Sequence, residues 1–597
     1  MSEKKRRSSL FTRIFAVIGG ITVALVLLGL IVAIFWFRPE GVPSNTILEV
    51  DLERQIAEYV PDDPIAQAIM GTELTMFETV DAITKAASDD NVTGLFVRVG
   101  NQTLGFGQAE ELRDAVMHFR ESGKPAVLFS ETFGEVQAGH TSYYLATAFD
   151  EVFMQPSGDL GLAGLTSQSF FLQNAFQEWG VEPQYEHRHE YKTAKYIFTE
   201  DDYTDAHREA DARVMESMKS ELVQAIADSR GLDVAEVEEL LERGPFFARE
   251  VLDVGLVDDL KYRDEVLAHM RSELGDDAEL LFVGQYRERA GTAFDSGPDV
   301  AMIHGAGAVM RGESGAEVLF GTSMGSETVT AAFRAAVDDE VEAIIFRIDS
   351  PGGSYVASDA IWREVRRAQD AGIPVIATMG NVAGSGGYFV AMGAEHIIAQ
   401  PSTITGSIGV VYGKFVTDEF WNELGINWRE IATSENATMW SSLAPYNEHT
   451  EERLNSWLDH VYDDFTAKAA EGRGMTQEEI HEVARGRIWS GRDAMELGLI
   501  DEVGGFLTAI NRARTLLELD EDASINIKPY PPKKTLIEQL MDSGPSSSER
   551  AATVQAFKTT VAPLQPLLQT LHYIHMNPAD RALMMPGYGG LPHPAAE

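Results

Sequence analysis

The chain contains no cysteine, which removes disulfide frameworks, thiolate metal sites and cysteine nucleophiles from consideration. Positive charge is scarce as well. Against 93 aspartates and glutamates stand 48 lysines and arginines, a formal charge of -45. A polyanion such as nucleic acid would be repelled over most of that surface, so no nucleic-acid partner is expected. Acidity of this density reads either as plain solubility or as adaptation to high salt. Long apolar runs are lacking too, with one exception, which excludes a multispan membrane protein. The 44% hydrophobic content is that of a globular chain, and 597 residues suffice for more than one large core.

The exception lies at the N-terminus. Lys4, Lys5, Arg6, Arg7 and Arg13 precede an uncharged run over residues 14–37. At about 1.5 Å per residue such a run crosses a hydrocarbon core of about 30 Å. No small-x-small cleavage site follows Trp36-Phe37, and only Arg38 flanks the far side. The positive-inside rule therefore predicts a single-pass anchor in contact with lipid, its first residues cytoplasmic and the body on the outer side. A cleaved signal peptide is the competing reading.

Beyond a short Pro/Gly/Ser linker the chain repeats itself. Residues 78–99, ETVDAITKAASDDNVTGLFVRV, and 327–348, ETVTAAFRAAVDDEVEAIIFRI, share ten of 22 positions without a gap. Each reads as a helix, an Asp-Asp turn and a short apolar run suited to a buried parallel strand. The match resumes at Tyr143–Pro156 with Tyr388–Pro401, and at Val254–Asp258 with Leu497–Asp501. Two related α/β domains are expected, at 45–290 and 291–520, between an anchor and linker at 1–44 and a C-terminal extension at 521–597. Each half should carry a long polar helical segment, Asp205–Arg243 and Asn447–Arg485. The extension holds the SGPSSS linker at Ser543–Ser548 and an amphipathic stretch, Ala551–His575; an interaction tail and a loose end both remain open.

The halves also differ. Pro401–Val411, PSTITGSIGVV, follows a strand-like Ile397-Ile398-Ala399 and sets Ser407 between Gly406 and Gly409; its counterpart in the first half has Leu162 in place of the serine. The stretch Asp349–Ser354, DSPGGS, has no Pro-Gly-Gly counterpart. Glycines there permit close backbone approach, and with the N–H of Ile408 could form a two-donor oxyanion hole. A serine nucleophile needs a base. Among the 14 histidines, His304 and His396 flank strands but lie in no recognisable turn with a carboxylate. Lysine is the other candidate: Tyr191-Lys192-Thr193-Ala194-Lys195 lies in the first half, and its counterpart, about Ser434–Met439, has no lysine.

PSTITGSIGV, DSPGGS, the GSGGY of Gly384–Tyr388 and Tyr191–Ala194 together resemble the signal peptide peptidase A family in its long, duplicated (protease IV) form. The resemblance implies tandem ClpP/crotonase-like domains and a serine endopeptidase with a Ser-Lys dyad. By motif, Ser407 is the expected nucleophile, Lys192 the general base, and Gly352 and Gly353 the oxyanion loop; Lys195 reads as an exposed structural lysine. No metal or cofactor is expected. The resemblance further implies a homotetramer in the inner membrane, acting on remnant signal peptides and other short or unfolded peptides. Lysine titrates near 10.4 in water, so burial must bring it to about 7–8 before it can accept a proton. A crotonase-like acyl-CoA enzyme and an inactive membrane scaffold are the alternatives.

Overall fold

The computed structural model describes residues 41–54, 56–60, 74–100, 104–317, 321–531 and 583–584. Among these residues no helix is long and apolar enough to cross a membrane; the expected span at 14–37 lies outside them, as does the amphipathic stretch 551–575.

The repeat is visible as two α/β units, each on a mainly parallel sheet. In the first, Thr46–Leu52 is flanked in parallel by Val92–Val99 and Glu279–Phe282, and the sheet continues through Ala126–Ser130, Glu151–Met154 and Asp259–Leu260. In the second, Asp299–Ala306 is flanked by Ala343–Ser350 and Asn526–Tyr530, and the sheet runs on through Val375–Gly384 to Ile404–Gly406 and the antiparallel Ile488–Ser490. The strands are apolar runs because helices cover both faces of a parallel sheet. Ala343, Ile344, Ile345 and Phe346 are all fully buried. The second unit closes its sheet with Asn526–Tyr530, beyond the limit at 520 that the repeat suggests.

The polar helical segments each break once. Asp205–Arg230 ends at Gly231 and Glu448–Arg473 at Gly474, both in the left-handed conformation that glycine adopts at helix ends, and a short second helix follows in each.

The halves share part of their core. The largest hydrophobic cluster joins Leu48, Leu95 and Leu128 of the first to Val300, Ile345, Ile376 and Phe506 of the second. Buried polar contacts cross the same boundary. The Arg347 guanidinium, wholly buried, pairs with Glu58 (2.6 Å) and Glu111 (3.0 Å) and lies over the Phe506 ring. The Ser402 hydroxyl donates to Glu110 at 2.6 Å. The join that matters for the site is a two-stranded ribbon in which Glu182–His187 pairs antiparallel with Val411–Val416.

Candidate active site

Two serines meet because two strands are in register. Gly384, the last residue of Val375–Gly384, is paired with Gly406, the last of Ile404–Gly406. The residues that follow, Ser385 and Ser407, therefore emerge side by side. Both have positive φ, 54° and 51°. Strained backbone of this kind persists only where the surroundings over-determine it, and it concentrates at functional sites. The Ser385 N–H donates to Gly406 O (2.8 Å) and the Ser407 N–H to Arg487 O (2.7 Å), which fixes both turns.

Lys192 comes from the other half. It lies five residues beyond Glu182–His187, whose pairing with Val411–Val416 carries the lysine loop to the strand that follows the Ser407 turn. Its Nζ lies 2.7 Å from Ser385 Oγ, 3.0 Å from Ser407 Oγ and 2.9 Å from the Ser407 carbonyl oxygen. A neutral amine fits this arrangement: it donates to the carbonyl and one hydroxyl, and its lone pair accepts from the other. Lys192, Ser385 and Ser407 are each at most 2% exposed. No carboxylate touches Nζ among the described contacts, and burial alone pushes the lysine pKa down to about 7.

The Arg485–Arg487 turn holds the lysine from behind. At Gly486, φ is 82° and a Cβ would lie 2.5 Å from Lys192 N and 2.6 Å from its Cα, so only glycine fits. The Gly486 N–H donates to Ile408 O, Arg485 pairs with Glu190, and Arg487 pairs with Glu209 at 2.8 Å. Tyr191 donates to the same Glu209 and lies beneath the Arg487 guanidinium.

Gly352 and Gly353 form a short strand beside Ser385 rather than Ser407. A Cβ on Gly386 would stand 3.0 Å from Gly353 N and 3.1 Å from Gly352 Cα. Gly352 and Gly353 have φ of 100° and 156°, and the Gly352 N–H donates to Ser350 Oγ at 3.2 Å. The oxyanion loop and the GSGGY turn thus face one another. Ile408, the expected second donor, is fully buried in the core of the second half. Ser407, the expected nucleophile, does reach Lys192, but the glycine strand adjoins the other serine. In the sequence Ser385 stands out only as part of the GSGGY pattern. A usable signal was available, since the repeat sets it opposite His140.

The remaining candidates lie elsewhere. His304 is half-buried and stacks on Tyr59, with its pKa pushed down to about 4 by desolvation. His396 pairs with Glu502 at 3.0 Å. Lys195 is half-buried rather than exposed, its Nζ 6.0 Å from the centroid of the Tyr196 ring.

Comparison with known proteins bears on what this arrangement does. The family model described as Peptidase family S49 matches residues 118–276 and 367–520. The chain is 31% identical over 512 residues to "Serine protease SPPA, chloroplastic" of Arabidopsis thaliana, covering 82% of this chain and 74% of that protein. It is 29% identical to "Protease 4" of Salmonella typhi (82% and 79% covered). To "Protease 4" of Haemophilus influenzae it is 28% identical (76% and 75% covered).

Proposed function

Because the chain belongs to peptidase family S49, in the long duplicated form, we propose that it is an endopeptidase in which Ser385 is the nucleophile, Lys192 the general base and Ser407 the hydroxyl that positions the lysine. The observation that carries this reading is the buried Lys192 Nζ held between two serine hydroxyls, one of which adjoins the glycine strand. Ser385 Oγ attacks the scissile carbonyl and its proton passes to Nζ. The oxyanion then accepts from the N–H groups of Gly353 and Gly386, where the sequence expectation combined the Gly352–Gly353 loop with the N–H of Ile408. The lysine ammonium protonates the leaving amine, and a water activated by the same amine releases the acyl group from Ser385. The groups around Nζ are hydroxyls and a carbonyl, where the acyl-CoA alternative would call for carboxylates.

Remnant signal peptides and other short apolar peptides are the proposed substrates, met at the outer face of the membrane through an anchor at 14–37. An assembly of four chains would restrict entry to unfolded segments. The test is fluorophosphonate labelling followed by peptide mapping. The label is expected on Ser385, and Ser385→Ala should lose both label and turnover. Ser407→Ala should keep the label and lose about 10²-fold in rate, the scale of a mispositioned general base. A label on Ser407 with an active Ser385→Ala enzyme would restore Ser407 as nucleophile.

A further inference from the structure

The glycine strand beside Ser385 already has an occupant. Leu583–Met584, from the C-terminal extension, pairs antiparallel with it, Gly352 opposite Met584 and Gly353 opposite Leu583. On its other side the same strand is bridged to Ala308–Met310 through Val309 and Gly353. Without the C-terminal segment, Gly352–Gly353 would be the open edge of its sheet. An open edge next to a nucleophile is where an extended peptide would bind, since strand addition uses main-chain hydrogen bonds and accepts varied sequences. With the segment in place Ser385 is fully buried, as are both glycines.

We propose that residues around Leu583–Met584 act as a built-in competitor for the peptide-binding edge, holding the enzyme closed until substrate displaces them. This rests on the assignment of Ser385 and its neighbouring glycines to catalysis. Two features of the chain suit the role. The sequence Ala582–Met585 is uncharged and apolar, the character expected of the substrates. Leu583 also follows Pro531 by 52 positions, and at about 3.3 Å per extended residue such a tether spans the whole body. A tethered segment is present at a high effective concentration, so even a weak two-residue pairing competes.

Competition of this kind raises KM and leaves kcat alone, because saturating substrate displaces the segment. If the closed form outweighs the open one about tenfold, KM rises by a similar factor. The test uses the full-length chain. Adjacent residues of an antiparallel strand turn their N–H groups to opposite sides, so one of Leu583→Pro and Met584→Pro removes the donor that faces the glycines and breaks the pairing. That variant is expected to lower KM for a short apolar peptide about tenfold at unchanged kcat, and to speed fluorophosphonate labelling. Ala556→Pro, elsewhere in the extension, should change neither. A synthetic peptide of residues 578–590 should inhibit that leucine or methionine variant competitively. Unchanged KM and labelling rate in both proline variants would overturn the proposal. So would recovery of wild-type chains cut within residues 570–597 while Ser385→Ala chains stay whole, since the segment would then be a substrate. The mapped position of the label reports separately on Ser385, so failure of the nucleophile assignment remains distinguishable from failure of the competitor.

Discussion

Gly486→Ala tests whether Lys192 works from the place where it is held. A methyl group at position 486 would stand 2.5 Å from the Lys192 backbone nitrogen and 2.6 Å from its Cα and Cβ, where ordinary contacts begin near 3.4 Å. Backbone must therefore move by about 1 Å. Nothing at the tip of a flexible side chain can absorb it, because the nearest atoms are main chain and Cβ. A misplacement of about 1 Å in a catalytic group costs on the order of 10²-fold, or about 2.7 kcal/mol of barrier. The alanine would also have to hold φ near 82°, a further cost of about 1–2 kcal/mol borne by stability. Steady-state hydrolysis of a chromogenic peptide is the assay, with thermal unfolding as the control for folding. A displaced base removes an interaction made in the transition state, so kcat and kcat/KM should fall together while KM holds. A folded Gly486→Ala enzyme with wild-type kcat would refute the view that this turn sets the base.

Three further outcomes are expected. With the lysine pKa near 7, the neutral fraction grows from roughly 0.1 at pH 6 to roughly 0.9 at pH 8, so kcat/KM should rise about tenfold over that interval; Lys192→Arg, always charged, should be inactive at every pH, and a flat profile would remove Lys192 as base. Arg347→Met strands Glu58 and Glu111 in the join between the halves, and should cost about 3–5 kcal/mol in denaturant unfolding. Burial pushes the Glu110 carboxyl up to about 8; a raised folded-state pKa gives stability that is present below the unfolded value near 4.5 and is lost as pH climbs towards 8. Glu110→Gln should therefore flatten the decline in melting temperature between pH 5 and pH 9, and an unchanged slope would count against a buried protonated carboxyl there.

The repeat and the parallel sheets were legible, and Lys192 and Gly352–Gly353 could be picked out as candidates, because each leaves a mark in local sequence: a matched 22-residue stretch, apolar runs, a lysine in one copy only, a Pro-Gly-Gly absent from the other. The choice between serines was not. Ser385 and Ser407 lie 22 positions apart in the chain, and both sit among glycines on turns after strands. What separates them is the side of the lysine on which Gly352–Gly353 falls, a fact of sheet register that no local pattern carries. The asymmetry argument that singled out Ser407 against Leu162 applies with equal force to Ser385 against His140. The last strand of the second sheet was missed for a simpler reason: its Asn-Ile-Lys-Pro-Tyr lacks the apolar run of a central strand, since an edge strand needs only one covered side.

The ribbon between Glu182–His187 and Val411–Val416 has a consequence for stoichiometry. Two identical copies exchanging such strands reciprocally would own two complete centres, one of them a spare. Here the position related to the centre by the repeat holds His140 and Leu162 in place of the serines, and the lysine-bearing stretch has its counterpart in residues 434–439, which contain none. On the proposed assignment one chain carries one centre, and an active-site titration should count a single reactive serine per polypeptide. With no duplicate to fall back on, loss of Lys192 from one half or of Ser385 from the other should each abolish activity.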